Sequence, residues 1–149
     1  NPETILVSAG DNIGASPLIS ALFHDEPTIE ALSLMGFDYS AAGNHEFDEG
    51  ASELLRMQYG CCNPATGCQD GDRFVGAGFE YLTANVVIET TNETLFPPYA
   101  VRNVQGIPVA FIGVSLKSTP SVVVPSGVEG LKFLDAAAAV LPPGFAVTV

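Results

Sequence analysis

At 149 residues the chain has the size of one ordinary domain and room for a sizeable core. Hydrophobic residues make up 47% and charged residues 15%, which suits a globular α/β chain and excludes a disordered one. Seventeen acidic against five basic residues give a formal charge of -12, which argues against nucleic-acid binding through a basic face; a phosphorylated ligand would need a local positive centre, and a metal ion is the obvious supplier.

In chain order, Thr4 to Ala9 reads as a buried strand, apolar, β-branched in part and closed by Gly10. Gly10-Asp11-Asn12-Ile13-Gly14 is then a strand-end loop, with Asp11 where a carboxylate projects into the crevice at the sheet's C-terminal edge. Ser16-Pro17 opens a short helical turn whose Leu18, Ile19, Leu22 and Phe23 are spaced for one apolar face. A better marked helix follows, with Asp25 or Glu26 as cap, Pro27 near its first position, Ile29, Leu32 and Met35 on one side, and Gly36 as the stop. His24, at the junction, reads as an exposed helix-end residue rather than a ligand.

Asp38 to Ala42 returns as a strand, which completes a βαβ unit and brings the ends of two parallel strands to the same edge of the sheet. Gly43, Asn44, His45 and Asp48 occupy the turn that leaves it. Gly43 allows a sharp turn or a close approach, and Asn44 offers a neutral oxygen ligand. His45 titrates near neutrality, and Asp48 stands three residues on, where it can orient an imidazole. Turn chemistry and helix capping explain such residues singly. Two strand-end clusters converging on one crevice are harder to explain that way.

Glu49 to Tyr59 has helical spacing, with Leu54, Leu55 and Met57 toward the core. Gly60 to Phe74 is a surface excursion carrying Cys61, Cys62 and Cys68. Without Cys-x-x-Cys spacing or a nearby histidine, a local disulfide is the better reading than zinc, with Cys68 paired to Cys61 or Cys62 and an oxidising compartment implied. Phe79 to Ile88 contains another strand, and its Asn85 either faces the site or holds backbone. Asn92-Glu-Thr is a glycosylation sequon. Tyr99 to Val104 and Ile107 to Val114 form a hairpin turning at Gln105-Gly106, with Pro108 weakening the second arm. Ser115 to Gly130 reads as loop, and Leu131 to Leu141 as an alanine-rich helix stopped by Pro142-Pro143-Gly144. No apolar run approaches the ~20 residues that span a bilayer, so no transmembrane segment is expected. If the chain is exported, its targeting sequence has been removed.

Gly10-Asp11-Asn12-Ile13-Gly14 followed by Gly43-Asn44-His45-Glu46-Phe47-Asp48 resembles the metallophosphoesterase (calcineurin-like) superfamily, and the second motif looks like its 5'-nucleotidase branch. Cys62-Asn-Pro-Ala-Thr-Gly-Cys68 is similar to a cysteine loop of bacterial secreted members, which implies a Cys62–Cys68 pairing. Tyr81-Leu-Thr-Ala-Asn85-Val and Pro125-Ser-Gly-Val-Glu-Gly-Leu-Lys-Phe-Leu-Asp135 match further stretches, so the likeness runs from about residue 4 to 135.

The resemblance implies part of an αββα sandwich with a parallel or mixed sheet, and two divalent metal ions (Zn, Mn, Mg, Co or Ca). Asp11 would bridge the two ions, Asn44 would bind one of them, and His45 with Asp48 would form the catalytic dyad. The implied reaction is hydrolysis of a nucleoside 5'-phosphate by a secreted, periplasmic or cell-surface enzyme. UDP-sugar or 2',3'-cyclic-nucleotide hydrolysis, or a non-catalytic binding or structural fragment, are the alternatives.

Members of the family also carry an upstream Asp-x-His and later histidine loops, whereas His24 and His45 are the only histidines here. Residues 1–149 are therefore expected to be part of a longer phosphoesterase domain, to hold metal poorly in isolation and to be inactive alone.

Overall fold

The computed structural model describes residues 4–140. Three strands, β1 (Val7–Ser8), β2 (Tyr39–Ala41) and β3 (Glu80–Leu82), form a parallel sheet in that order. The connection from β1 to β2 carries α1 (Leu18–Ala21) and α2 (Glu26–Leu34). That from β2 to β3 carries a 3-10 turn (His45–Phe47), α3 (Ala51–Tyr59) and the cysteine loop. Parallel neighbours require such crossovers, so the expected βαβ unit is present and is followed by a second. Val7 pairs with Tyr39 and Ser8 with Ser40, so the loops after β1 and β2 leave the sheet side by side.

Sequence spacing accounts for the helices that carry the site. Pro27 stands in the first turn of α2, Ile29 is fully buried, Leu32 packs against the core, and Gly36 ends the element at φ +79°. Met35, the C-cap residue, is exposed although its backbone is still helical and its N–H bonds the Ala31 carbonyl. In α3, Leu54 and Met57 are three residues apart and fully buried, joining Phe47, Tyr81, Val86 and Phe96 in one apolar cluster.

Beyond the parallel sheet, β4 (Val86–Ile88) pairs antiparallel with β7 (Leu131–Phe133), and β5 (Tyr99–Val104) with β6 (Ile107–Ile112). The β5–β6 hairpin turns at Gln105 (φ 52°) and Gly106 (φ 85°), the two positive φ angles a tight two-residue turn requires. Pro108 is accommodated opposite Asn103, and the Phe111 ring stacks on Tyr39 at 5.0 Å, docking the hairpin on the sheet. Cys62 and Cys68 form the disulfide; Cys61 is free and exposed.

Several expectations are corrected. The first strand is only two residues long and is not buried: among the described residues β1 pairs only with β2, and Leu6 and Val7 are 37% and 52% exposed. The apolar residues of α1 face outward, with Leu18 and Ile19 71% and 80% exposed, because four residues complete one turn without a full face; Ser20 is the one buried. Residues 79–88 hold two strands rather than one, broken at Thr83–Asn85. Leu131 to Leu141 is not one helix: Leu131 and Phe133 are buried and Lys132 exposed, a period of two that makes β7, and only α4 (Ala136–Val140) is helical. Leu141 and the Pro142-Pro143-Gly144 stop lie outside the described residues.

Candidate active site at the strand ends

The loop after β1 and the turn after β2 touch through their backbones. A Cβ added at Gly43 would lie 2.2 Å from Asp11 Oδ1 and 2.6 Å from Asp11 N, and one added at Gly10 would lie 2.2 Å from Gly43 N. Only glycine permits that approach, and Gly10 also takes φ +100°. Asp11 follows in the left-handed region at φ 57°, a conformation aspartate tolerates better than most residues.

A carboxylate absent from the sequence-derived set joins the two loops. Glu46 is 2% exposed and accepts three backbone N–H groups: Asp11 to Oε2 at 2.7 Å, Asn12 to Oε1 at 2.8 Å and Gly43 to Oε2 at 2.6 Å. Burial pushes its pKa above the ordinary value of 4.5, against the pull of those three donors. The signal for Glu46 was its position: a carboxylate inside the second motif, directly before the fully buried Phe47, is carried inward with it.

Asn12 adds a second tie: its Nδ2 donates to Ser40 Oγ at 2.9 Å, and its Oδ1 accepts from Ser8 Oγ at 2.6 Å. Asp25, at the start of α2, does not cap that helix with its side chain. It instead accepts the Gly14 N–H at 2.9 Å and the Ser16 hydroxyl at 2.5 Å, fixing the far end of the first loop.

The four proposed site residues are arranged around this junction. Asp11 Oδ1 accepts the backbone N–H of His45 at 3.0 Å, which sets the first motif against the second. His45 Nδ1 and Asp48 Oδ2 are 2.7 Å apart, one 3-10 turn separating them. Asn44 stands immediately before His45, and among the described residues no hydrogen bond occupies its carboxamide.

His45 titrates above its ordinary value of 6.5, chiefly through the Asp48 hydrogen bond; slight burial opposes this, and the charges of Asp48, Asp11 and Glu46 add to it. Because the folded pKa is raised, the stability this pair contributes is present in full below about 6.5, the unfolded value. It fades as the pH rises through the higher folded value. In the metal-free chain an NMR titration of His45 is expected to have its midpoint above 6.5, and Asp48→Asn to move that midpoint down. An unchanged midpoint would mean that the two side chains do not pair in solution.

Asn85 does not face this site. It is fully buried, donates through Nδ2 to the carbonyls of Ser115 (2.8 Å) and Leu134 (3.0 Å), and accepts the Ser115 N–H at 2.8 Å, so both ends of its carboxamide are engaged by backbone. His24 is not simply exposed: it is partly buried and paired with Glu49. Among the described residues, His, Cys, Asp and Glu side chains gather closely enough for three to share an ion at His24, Glu49 and Glu53, and not around Asp11.

No protein-family model matches the chain. It is 42% identical over 138 residues to the endonuclease YhcR of Bacillus subtilis, covering 93% of this chain and 11% of that protein. To the cell wall protein Lmo0130 of Listeria monocytogenes it is 38% identical, covering 91% of this chain and 18% of that one. To a 5'-nucleotidase of Vibrio cholerae it is 30% identical over 132 residues, covering 89% and 21%. The chain thus spans between 11% and 21% of the length of these relatives.

Among solved structures, the NAD nucleotidase NadN of Haemophilus influenzae matches 91% of this chain and 21% of its own, with a TM-score of 0.69 and 25% identity. The calcineurin-like phosphoesterase YfkN of Bacillus subtilis matches 93% and 42%, with a TM-score of 0.64 and 24% identity. Fold and relatives alike agree with the resemblance carried by the two motifs. No helix among the described residues is long and apolar enough to cross a membrane.

Proposed function

We propose, from the premise that this chain has the fold of the calcineurin-like phosphoesterases and relatives among the 5'-nucleotidases, that it is part of a metal-dependent enzyme hydrolysing nucleoside 5'-phosphates to nucleoside and phosphate. The observation that carries this is the interlock at Glu46, which sets Asp11 against Asn44-His45 at one rim of a parallel sheet. A divalent ion fits the donor chemistry: one carboxylate, seated by the His45 N–H, and one carboxamide oxygen, both free of competing side-chain partners. Two donors are fewer than such an ion needs, so the remaining ligands would come from outside residues 1–149, in the rest of the phosphoesterase domain. When bound, two ions would supply charge neutralisation and a nucleophile at neutral pH.

The chain's own residues do the remainder. Asp11 and Asn44 would hold the metal pair. Asp48 takes His45 Nδ1, which fixes the ring and leaves Nε2 for a phosphate oxygen or for the leaving alkoxide. The raised pKa of His45 favours the protonated ring that this role requires. A cell-surface or secreted location suits the Cys62–Cys68 disulfide and the cell wall relative.

The test is phosphate release from AMP by the parent protein with manganese or zinc. His45→Ala is expected to lower kcat by about 10²–10⁴, and Asp11→Asn to abolish metal-dependent turnover. Full activity in either variant would overturn the assignment. The endonuclease relative favours a second reading, phosphodiester hydrolysis in an oligonucleotide. The charge of -12 opposes it, and comparing turnover of AMP with that of a short single-stranded oligonucleotide separates the two.

A further inference from the structure

We propose that His24, Glu49 and Glu53 form a second divalent-cation site, independent of the one at Asp11, that ties the start of α2 to α3 and the disulfide loop. One ligand atom from each residue lies within 4.8 Å of the others. His24 Nδ1 is already 2.9 Å from Glu49 Oε2. Bonds of 2.0–2.1 Å to a tetrahedral zinc put neighbouring donors ~3.3 Å apart, so the exposed Glu49 side chain and the His24 ring have only to close on the fixed Glu53 carboxylate.

The surroundings orient each donor. His24 Nε2 lies 3.1 Å from Thr66 Oγ1, so the ring can donate there and turn Nδ1 inward, the arrangement in which an outer partner fixes a metal-binding imidazole. Thr66 is itself held, because Asn63 Oδ1 accepts the backbone N–H groups of Ala65 and Thr66 inside the Cys62–Cys68 loop. Glu53 is clamped by the Arg56 guanidinium through Nε and one terminal nitrogen, which removes most of its rotamer freedom, and besides these its Oε2 accepts only a long 3.4 Å contact from Asn63 Nδ2, the place an ion would take. Arg56 is in turn balanced by Glu26 at 2.5 Å. Glu26, Glu49 and Glu53 against Arg56 leave a net excess of two negative charges for an incoming ion to neutralise. One imidazole and two carboxylates, with water completing the shell, suit zinc or another borderline divalent ion.

The test is zinc titration of the full chain by calorimetry in an Asp11→Asn background, which removes the other site. The expected result is one equivalent bound, with affinity at least tenfold weaker in His24→Ala and in Glu49→Gln. Glu49 is exposed, so its substitution leaves the fold intact and keeps the test decisive if His24→Ala is unstable. Zinc should also shift the His24 Nδ1 resonance rather than Nε2, a signature that a simple surface ion pair would not give. Absence of binding, or affinity unchanged in both variants, would overturn the proposal.

Discussion

Glu46→Ala is expected to be the most damaging single substitution in the chain, lowering unfolding free energy by about 4 kcal/mol. Each hydrogen bond to a buried carboxylate is worth about 1.5–3 kcal/mol, and donors left buried without a partner add a desolvation cost. Three donors lose their acceptor at once: the N–H groups of Asp11, Asn12 and Gly43. Glu46→Gln separates charge from shape. With its amide oxygen at the Oε2 position, glutamine keeps the bonds from Asp11 and Gly43 and opposes an NH2 group to the Asn12 N–H, so a loss of about 2 kcal/mol is expected. Urea unfolding checks both, read as a lower midpoint at unchanged slope. Equal stability of all three proteins would show that the loops are held by something else. Domains of this size have ~5–15 kcal/mol in total, so the alanine variant should be near the edge of folding.

Gly43→Ala is expected to do comparable harm for a different reason. Its methyl group would sit 2.2 Å from Asp11 Oδ1 and 2.7 Å from Asp11 Cγ, and also 2.6 Å from the backbone nitrogen of Asp11, which cannot swing aside as a flexible side chain could. Overpacking of this kind costs about 1–3 kcal/mol and occasionally more, and here relief requires the two motif loops to separate. The variant should therefore lose at least 2 kcal/mol in urea unfolding, and in the parent enzyme it should lose metal-dependent turnover out of proportion to that destabilisation. Gly36→Ala is the control: no atom lies within 4 Å of its added Cβ, so only the strain of φ +79° remains. If both glycine variants behave alike, close approach is not what position 43 is for.

Much of the candidate site's arrangement was legible in the sequence because it is local. Asn44, His45 and Asp48 fall within five residues on one turn, and an i, i+3 spacing on a 3-10 turn is enough to pair an imidazole with a carboxylate. Asp11 could be added because two parallel strands with a helical crossover must end at the same edge. Glu46 escaped because its role is largely non-local: two of its three partners lie 34 and 35 residues back, and a buried glutamate is an improbable reading of any charged residue until its donors are known.

The fold shows the same division. The β5–β6 hairpin, whose pattern and turn are contiguous, was readable almost to the residue. Leu131–Phe133 was not, since a three-residue alternation beside an alanine run reads as helix until β4 is available to pair with it. The outward-facing Leu18 and Ile19 of α1 and Val7 of β1 follow the same rule, because spacing tells which residues share a face and not what covers that face.

The most direct test of the proposed centre is a crystal structure of the parent protein grown with zinc and mapped by anomalous scattering. The expected result is an ion with oxygens of Asp11 and Asn44 within about 2.0–2.2 Å, and with Glu46 still accepting the N–H groups of Asp11 and Gly43 beneath it. Zinc bound at full occupancy elsewhere, with both Asp11 and Asn44 free of metal, would contradict it.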